Sequence, residues 1–503
     1  MNLMKIITNK LDFLLALLAG ILLVFAFAPA HFVWLAVLCP AVLYALITKQ
    51  TAKRATALSF VFGLGFFGTG ISWVFVSIYF FGGTSFLIAF LLTSLLVLAL
   101  SCFFGILGFT LQRYFAKNNM AKILLVYPAL WALLEALRSW IFTGFPWLIL
   151  GHTTANSLFS GLAPIFGAYG SSYFLVLIGS LFYVACVPHY GESKFYGWKF
   201  SNLSLTALIV LTIGVSSLST INWTKSNSPA LSVSLVQGNI PQNLRWDAKQ
   251  VNNILNTYQA LTPRYYQNNL IVWPEAAIPL STEQAINFTD KIEKELETTH
   301  SALITGVPYV NKQNYYNAVI GLGDAQGIYL KRHLVPFGEY MPYEKWLRGL
   351  IQFFNLPMSN FLPGPPHQSL ISVHGIPIGV FICYEVTYSS IVRENLPAAG
   401  LLITVSDDAW FGRSFAPWQH LQIGQFTALE TGRQMLFVGN DGVTAIINSK
   451  GQLQSILPQF TTNVLNGHVA AYTGTTPWVM FGDLPYLIIM LIFLAICYSK
   501  PKN

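Results

Sequence analysis

Three residues in the one long polar stretch of this chain offer a nucleophile, a base and a cation. Cys383 closes the apolar run Gly379-Val-Phe-Ile-Cys-Tyr-Glu385, and no other cysteine falls in that stretch. Glu275 follows Ile271-Val-Trp-Pro, and Lys331 follows Ile328-Tyr-Leu. A second carboxylate, Glu339, follows Phe337-Gly338. A free thiol with a pKa near 8.5 is mostly protonated at neutral pH, so it needs a base or a cation to become a strong nucleophile. A mostly buried carboxylate such as Glu275 is able to accept that proton. A fixed ammonium such as Lys331 stabilises the oxyanion of a tetrahedral intermediate. Glu339 would orient the lysine or relay a proton. Taken singly, each has a plainer reading: a buried thiol, a loop or turn glutamate, a solvated lysine. Together, in the order Glu, Lys, Cys and each after a strand-like run, they predict one site at a sheet edge.

The elements that must position them are strands. Strand-like runs occur at Leu231–Gln237, Leu270–Trp273, Ala302–Val307, Ala318–Leu322, Ile376–Cys383, Gly400–Ser406, Leu436–Gly439 and Thr444–Asn448. Polar helical stretches such as Thr282–Glu297 and His420–Thr431 lie between some of them. Alternating strands and helices predict an α/β layered domain. A hairpin through Gly323-Asp-Ala-Gln-Gly327 predicts a mixed sheet. Pro274 ends one strand and sets the turn that presents Glu275.

The remainder of the chain is not built for water. Of 503 residues 54% are hydrophobic and 10% charged, against about 25% charged in soluble domains. Apolar stretches near the length of a span, about 20 residues, occur at 11–28, 31–48, 56–80, 85–111, 123–142, 168–188, 202–221 and 484–499. Lysines and arginines gather at alternate connections: Lys5 and Lys10, Lys49 to Arg54, Arg113 to Lys122, Lys194 and Lys199, Lys500 and Lys502. The connections Pro29–His31 and Phe81–Thr84 carry none. This pattern predicts eight spans with both termini in the cytoplasm. Residues 1–222 are expected to be a seven-helix membrane domain, 223–476 an outer (in a bacterium, periplasmic) catalytic domain, and 477–503 a last helix and tail. The formal charge of +8 therefore reads as topology rather than nucleic-acid binding. Cys39, Cys102, Cys186 and Cys497 fall in apolar spans as small hydrophobes. The histidines show no close ligand spacing, and no metal or cofactor is expected.

Trp-Pro-Glu275, then Tyr329-x-Lys331-x-x-Leu-Val-Pro-Phe-Gly-Glu339, then Cys383-Tyr-Glu385 resemble the nitrilase, or carbon–nitrogen hydrolase, superfamily. The membrane frame narrows the resemblance. Gly63 to Val74, Thr143-Gly-Phe-Pro-Trp147, Val236 to Gln242 and Asp408-Ala-Trp-Phe-Gly412 resemble the apolipoprotein N-acyltransferase family, over nearly the whole chain. The resemblance implies an αββα sandwich beside an eight-helix membrane bundle. It implies Glu275 as general base, Lys331 as oxyanion and thiolate stabiliser, and Cys383 as acyl-accepting nucleophile. Glu339, Tyr384 and Glu385 would support them, and Trp147 and Trp246 would lie near substrate. Two positions depart from the family pattern: Asp407 stands where Asn is usual, and Asp441 interrupts an Asn-Thr-Gly as Asn440-Asp-Gly442.

The implied reaction is ping-pong transfer. A phospholipid, phosphatidylethanolamine by the resemblance, gives its sn-1 acyl chain to Cys383, and the thioester passes it to the α-amine of a diacylglyceryl-cysteine on an apolipoprotein. The enzyme would act as a monomer in a bacterial inner membrane. In 342–354, Trp346, Leu350 and Phe354 recur at helical spacing among basic residues, as in a helix at a membrane interface. That arm, Trp346 and Phe354 included, is expected to be a lid on lipid entry. Glu135 and Arg138 share one face of the fifth span and either pair with each other or hold a headgroup. Two other readings remain: a membrane-anchored amidase or hydrolase that releases its acyl group to water, and a transporter with an outer binding domain.

Overall fold

The computed structural model describes residues 2–115, 120–187, 194–340 and 360–499. The chain divides into two compact units. The first is Met1–Phe75, Leu87–Ile221 and Met480–Asn503, and the second is Val76–Phe86 with Asn222–Val479.

The first unit is helical. Among the described residues, Phe86–Tyr114 and Ser160–Cys186 are long and apolar enough to cross a membrane, and a third candidate arises if the bent pair Ala52–Gly70 and Trp73–Phe81 is one span. Leu35–Ile47, Asn202–Leu218 and Leu484–Cys497 are shorter apolar helices. Two or three candidate spans therefore stand where composition alone predicts eight. Two of the predicted stretches are broken: 56–80 bends between its two helices, and 123–142 forms a π-helical turn, Lys122–Val126, the helix Tyr127–Arg138 and a 3-10 turn with left-handed Phe142. Leu14, Leu18 and Leu22 on one helix and Leu91, Leu95 and Leu98 on another face outward, as suits a lipid solvent. Gly20 and Gly65 let two helix backbones close on each other: a Cβ on Gly20 would stand 2.9 Å from the Phe66 nitrogen.

The second unit is a two-sheet sandwich. Its strands are β1 (Thr224–Ser226), β2 (Leu231–Gln237), β3 (Leu270–Val272), β4 (Ala302–Asn311), β5 (Asn314–Gly323), β6 (Ala325–Gln326), β7 (Ile328–Leu330), β8 (Ile371–Val373), β9 (Ile376–Ile382), β10 (Leu401–Ser406), β11 (Met435–Gly439), β12 (Thr444–Ile447), β13 (Leu453–Leu457), β14 (Asn463–Val469) and β15 (Tyr472–Gly474). One sheet has the order β14-β2-β3-β4-β5-β7, the other β13-β12-β11-β10-β9-β8-β6, and β1 pairs with β15. Both sheets are mixed. β2, β3 and β4 run parallel, as do β9, β10 and β11, while their outer neighbours are antiparallel.

Strand periodicity sorts the side chains into layers. Val233, Leu235, Leu270, Val272 and Ile304 face inward and pack with Val380, Ile382, Ile403, Val405 and Val438 of the other sheet. The alternate residues Val236, Ile271 and Leu303 face outward under Tyr258, Ile292 and Leu296 of the helices Val251–Leu261 and Ile286–Thr299. The helix Ala416–Thr431 packs on β11, where Gly424 meets the Phe437 ring. Helix Ile286–Thr299 starts later than the sequence predicts, because Ser281 and Gln284 bond to each other's main-chain N–H groups in a turn. The short segment Val76–Phe86 belongs to this unit: the Ser77 hydroxyl donates to the Trp410 carbonyl at 2.8 Å, and the rings of Phe81 and Trp410 meet edge to face.

Candidate active site

The charged residues collect at the carboxyl ends of the parallel strands, where an α/β sheet leaves main-chain groups and loops open to ligands. Glu275 follows β3, Cys383 follows β9, Asp407 and Asp408 follow β10, Asn440 and Asp441 follow β11, and Lys331 follows β7. Lys331 is 1% exposed. Its ammonium lies 3.3 Å from Glu275 Oε1 and 2.9 Å from Glu339 Oε1. Asn317, in the middle of β5, donates to the same two oxygens at 2.7 and 2.8 Å. The Asp407 N–H donates to Glu275 Oε2 at 2.9 Å, and the Val335 N–H donates to Glu339 Oε2 at 2.8 Å. Burial alone would depress the lysine's pKa, but Glu275 and Glu339 more than offset it, so the amine is held firmly as a cation.

Cys383 sits at an elbow. β9 ends at Ile382 and a 3-10 turn, Cys383–Thr387, begins at once. Cys383 itself has φ +54°, a left-handed conformation costing a non-glycine residue about 1–2 kcal/mol. The surroundings hold it there. Glu385 is fully buried and accepts from the N–H groups of Ile382, Arg332 and His333 and from the Tyr329 hydroxyl. One carboxylate thus ties the cysteine's turn to the loop after Lys331. On the other side His420 Nε2 lies 3.1 Å from the Cys383 carbonyl oxygen, while Nδ1 lies 3.0 Å from Asp408 Oδ1. That imidazole is committed to the cysteine's main chain and braces the elbow. Burial, then the charge of Glu275, push the Cys383 thiol up, against a smaller opposing effect of Lys331. At rest the sulfur is therefore a protonated thiol.

Glu275 is held by its own backbone fit. Ala276 is left-handed at φ +47°, and the turn lies against Gly306 of β4. A Cβ on Gly306 would stand 2.7 Å from Glu275 Cα and 2.8 Å from the Pro274 carbonyl oxygen. Gly306→Ala is expected to displace Glu275 and lower turnover about 10²-fold with only a modest fall in Tm, because misplacement by about 1 Å costs that much; steady-state kinetics and a melting curve check it.

Asp407 and Asp441 are both buried here. Burial raises Asp407 to about 6 against the opposing charge of Arg245, and raises Asp441 to about 8 with the charges of Asp407 and Asp408 adding to it. Asp441 Oδ1 has no hydrogen-bond partner among the described atoms. A carboxyl raised on folding binds its proton more tightly in the folded state, so stability falls as pH climbs from the unfolded value to the folded one. Relative to Asp441→Asn, the natural chain should lose up to about 1.4 kcal/mol per pH unit between about pH 4 and pH 8, and nothing further above that. Thermal melts of both proteins across that range measure the divergence.

Of the other predicted residues, Tyr384 packs edge to face on Tyr388 at 5.2 Å. Trp246 is half-buried and follows the short helix Gln242–Arg245. Trp147 lies in the helical unit, buried against Trp73, with its carbonyl accepting from Arg138. Trp346, Phe354 and the rest of the predicted lid at 342–354 fall outside the described residues. Glu135 and Arg138 both grip the backbone of 145–150. Arg138 donates to the carbonyls of Phe145 and Trp147, and Glu135 accepts from the Leu150 N–H. Sequence reading missed Asn317, Gly306, Arg245, Asp408 and His420. A polar Asn317 inside the strand run Asn317-Ala-Val-Ile-Gly-Leu322 was the available signal for the first.

Residues 19–181 match the apolipoprotein N-acyltransferase N-terminal domain, and residues 232–477 match the carbon-nitrogen hydrolase family. An apolipoprotein N-acyltransferase from Coxiella burnetii is 40% identical over 487 residues, covering 96% of this chain and 99% of that one. The chain belongs to the apolipoprotein N-acyltransferase family. Relatives of the same description from Methylococcus capsulatus and Pseudomonas syringae pv. tomato are 35% and 38% identical, each covering at least 95% of both chains. This family member is thus an acyltransferase-type enzyme whose helical half and sandwich half both have counterparts along the full length of its relatives.

Proposed function

We propose that the chain transfers an acyl chain from a phospholipid to the α-amine of a diacylglyceryl-cysteine at the N-terminus of apolipoproteins, through a thioester on Cys383. The observation that carries this reading is one buried ammonium, Lys331, shared by Glu275 and Glu339, with the thiol of Cys383 within electrostatic reach of Lys331 and Glu275. Because the thiol is protonated at rest, Glu275 takes its proton as sulfur attacks the ester carbonyl. The Asp407 N–H occupies one lone pair of Glu275 Oε2 and leaves another for that proton. Lys331 and a main-chain N–H hold the oxyanion. The C–O bond breaks, Glu275 returns the proton to the departing lysophospholipid oxygen, and the acyl chain stays on sulfur. The acceptor amine then attacks the thioester, Glu275 takes the amine's proton, the C–S bond breaks, and the proton returns to sulfur.

The donor is phosphatidylethanolamine giving up its sn-1 chain. The site lies on the periplasmic side of a bacterial inner membrane, with eight spans, both termini cytoplasmic and a monomeric enzyme. Residues 1–222 and 477–503 form the membrane part, and 223–476 carry catalysis. Positive charge at alternate connections and a catalytic unit that follows the helical stretch in sequence support this topology. On this reading Trp147 and Trp246 serve near substrate, as the family resemblance implies. The test supplies phospholipid labelled in its sn-1 chain and a diacylated lipopeptide to the purified enzyme. Labelled amide on the peptide supports transfer. Label appearing only as free fatty acid supports hydrolysis and sinks the proposal.

A further inference from the structure

Arg245 is an arginine with almost no contact with solvent, 1% exposed, and the reaction above does not use it. Its Nη1 donates to the carbonyl oxygens of Glu275 and Ala276 at 2.8 and 3.2 Å. Its Nη2 lies 3.2 Å from Asp407 Oδ1. The Asp407 N–H in turn donates to the Glu275 carboxylate. These contacts close a ring: guanidinium to the Glu275 backbone, guanidinium to Asp407, and Asp407 back to the Glu275 side chain.

The ring is anchored further. Asn440 Nδ2 donates to Asp407 Oδ1 at 3.2 Å and to the Ile240 carbonyl at 2.8 Å, and Asn440 Oδ1 accepts from the Ile240 N–H. Gln242, with its amide turned to satisfy both neighbours, donates to Asp407 Oδ2 at 2.7 Å and accepts from Trp410 Nε1 at 3.1 Å. Arg245 and Gln242 come from one short helix, Glu275 from the end of β3, Asp407 from the end of β10 and Asn440 from the end of β11. Four side chains from three segments therefore converge around the Glu275 turn.

We propose that Arg245 and Asp407 are a positioning pair for the base of acyl transfer, in which the guanidinium fixes the backbone of Glu275 and the aspartate both neutralises that guanidinium and presents its own N–H to the carboxylate. The pair touches neither substrate nor sulfur; it acts through Glu275. This rests on the reading of Glu275 as the general base. A carboxylate at position 407 fits this pairing better than an amide would. An amide leaves the buried guanidinium without a counter-charge, whereas Asp407 supplies one. The groups facing Asp407 are Arg245, Glu275, Asp408 and Asn440, and Asp441 and Tyr258 lie in the same electrostatic neighbourhood. Burial raises Asp407 to about 6, so the pair is complete above that pH and is lost as pH falls through it.

The test uses the full-length enzyme in detergent micelles and two readouts: steady-state acyl transfer, and the rate at which iodoacetamide alkylates Cys383, mapped by peptide mass. Arg245→Gln is expected to lower kcat about 10- to 100-fold, leave KM for phospholipid within about twofold, and slow alkylation at pH 7 by a similar factor. Arg245→Lys recovers part of both, since an ammonium is able to serve the carbonyls or Asp407 but has no planar fork to serve all three. Asp407→Asn keeps the main-chain N–H, lowers Tm by leaving the guanidinium without its counter-charge, and removes the inflection near pH 6 from the alkylation profile. If Arg245→Gln fails to fold, Arg245→Lys and Asp407→Asn carry the same readouts. A fall in Tm with kcat and the alkylation profile unchanged in these variants overturns the proposal. Alkylation that responds as described in a protein yielding no labelled amide supports the pair's role while removing the acyltransfer reading.

Discussion

Replacing Lys331 with methionine should destabilise the catalytic unit by about 3–5 kcal/mol and remove acyl transfer altogether. The methylenes of the side chain are kept, so little packing is lost. What disappears is the only ammonium within 3.3 Å of Glu275 and Glu339 among the described contacts. Two carboxylates that share Asn317 and a buried setting are then left facing each other. One of them must take up a proton, which spends the base before any thiol is presented to it. Adding Glu275→Gln to Lys331→Met should return part of the lost stability, because one of the stranded charges is gone, and none of the activity. Denaturant unfolding of the two variants beside turnover separates these terms. The lysine's own contribution is complete below its unfolded pKa near 10.4 and fades only as pH rises through the higher folded value. Across about pH 6 to pH 9 the lysine's own term in the gap between natural and Lys331→Met proteins is constant, so any widening of the gap with pH reports the proton taken up by the stranded carboxyl pair.

Cys383→Ala should abolish turnover, by at least about 10³-fold, and leave no acyl adduct on the intact protein after exposure to phospholipid. Intact mass before and after incubation reads this directly. The elbow adds a second expectation. Alanine at φ +54° meets the same steric penalty as cysteine, while glycine does not. Cys383→Gly should therefore be more stable than Cys383→Ala by about 1 kcal/mol, although both are inactive. Equal melting temperatures for the two would mean that the turn relaxes once sulfur is gone, and that Glu385 and His420 do not hold it.

The sheet was legible in the sequence where a strand ran into a charge. Val-Phe-Ile ending in Cys383 and Ile-Val-Trp ending at Pro274 and Glu275 announce both the strand and the place where it stops. β13 and β14 were not legible, since Leu453–Leu457 and Asn463–Val469 are partly exposed strands whose polar and apolar residues do not alternate. The helix Ala416–Thr431 reads as polar yet is buried along its length, because side chains such as His420 and Gln425 find partners in Asp408 and the Gly451 carbonyl. Composition reports solvation only when polar groups point at water. Asn317 and Arg245 escaped for a related reason. Their roles arise from segments 42 and 30 residues away in the chain, and nothing local marks them. In the helical half the breaks inside 56–80 and 123–142 were not legible either, since turns within apolar sequence leave the hydropathy high.

The sandwich is not one continuous piece of chain. It includes Val76–Phe86, more than a hundred residues upstream of Asn222, and that peg meets Trp410, whose indole N–H reaches Gln242 beside Asp407. A recombinant fragment begun at Asn222 would come away without the peg, with the Trp410 carbonyl and ring left to water. Grafting the two stretches through a flexible tether, rather than cutting at the last helix, is what a free-standing version of this enzyme would require.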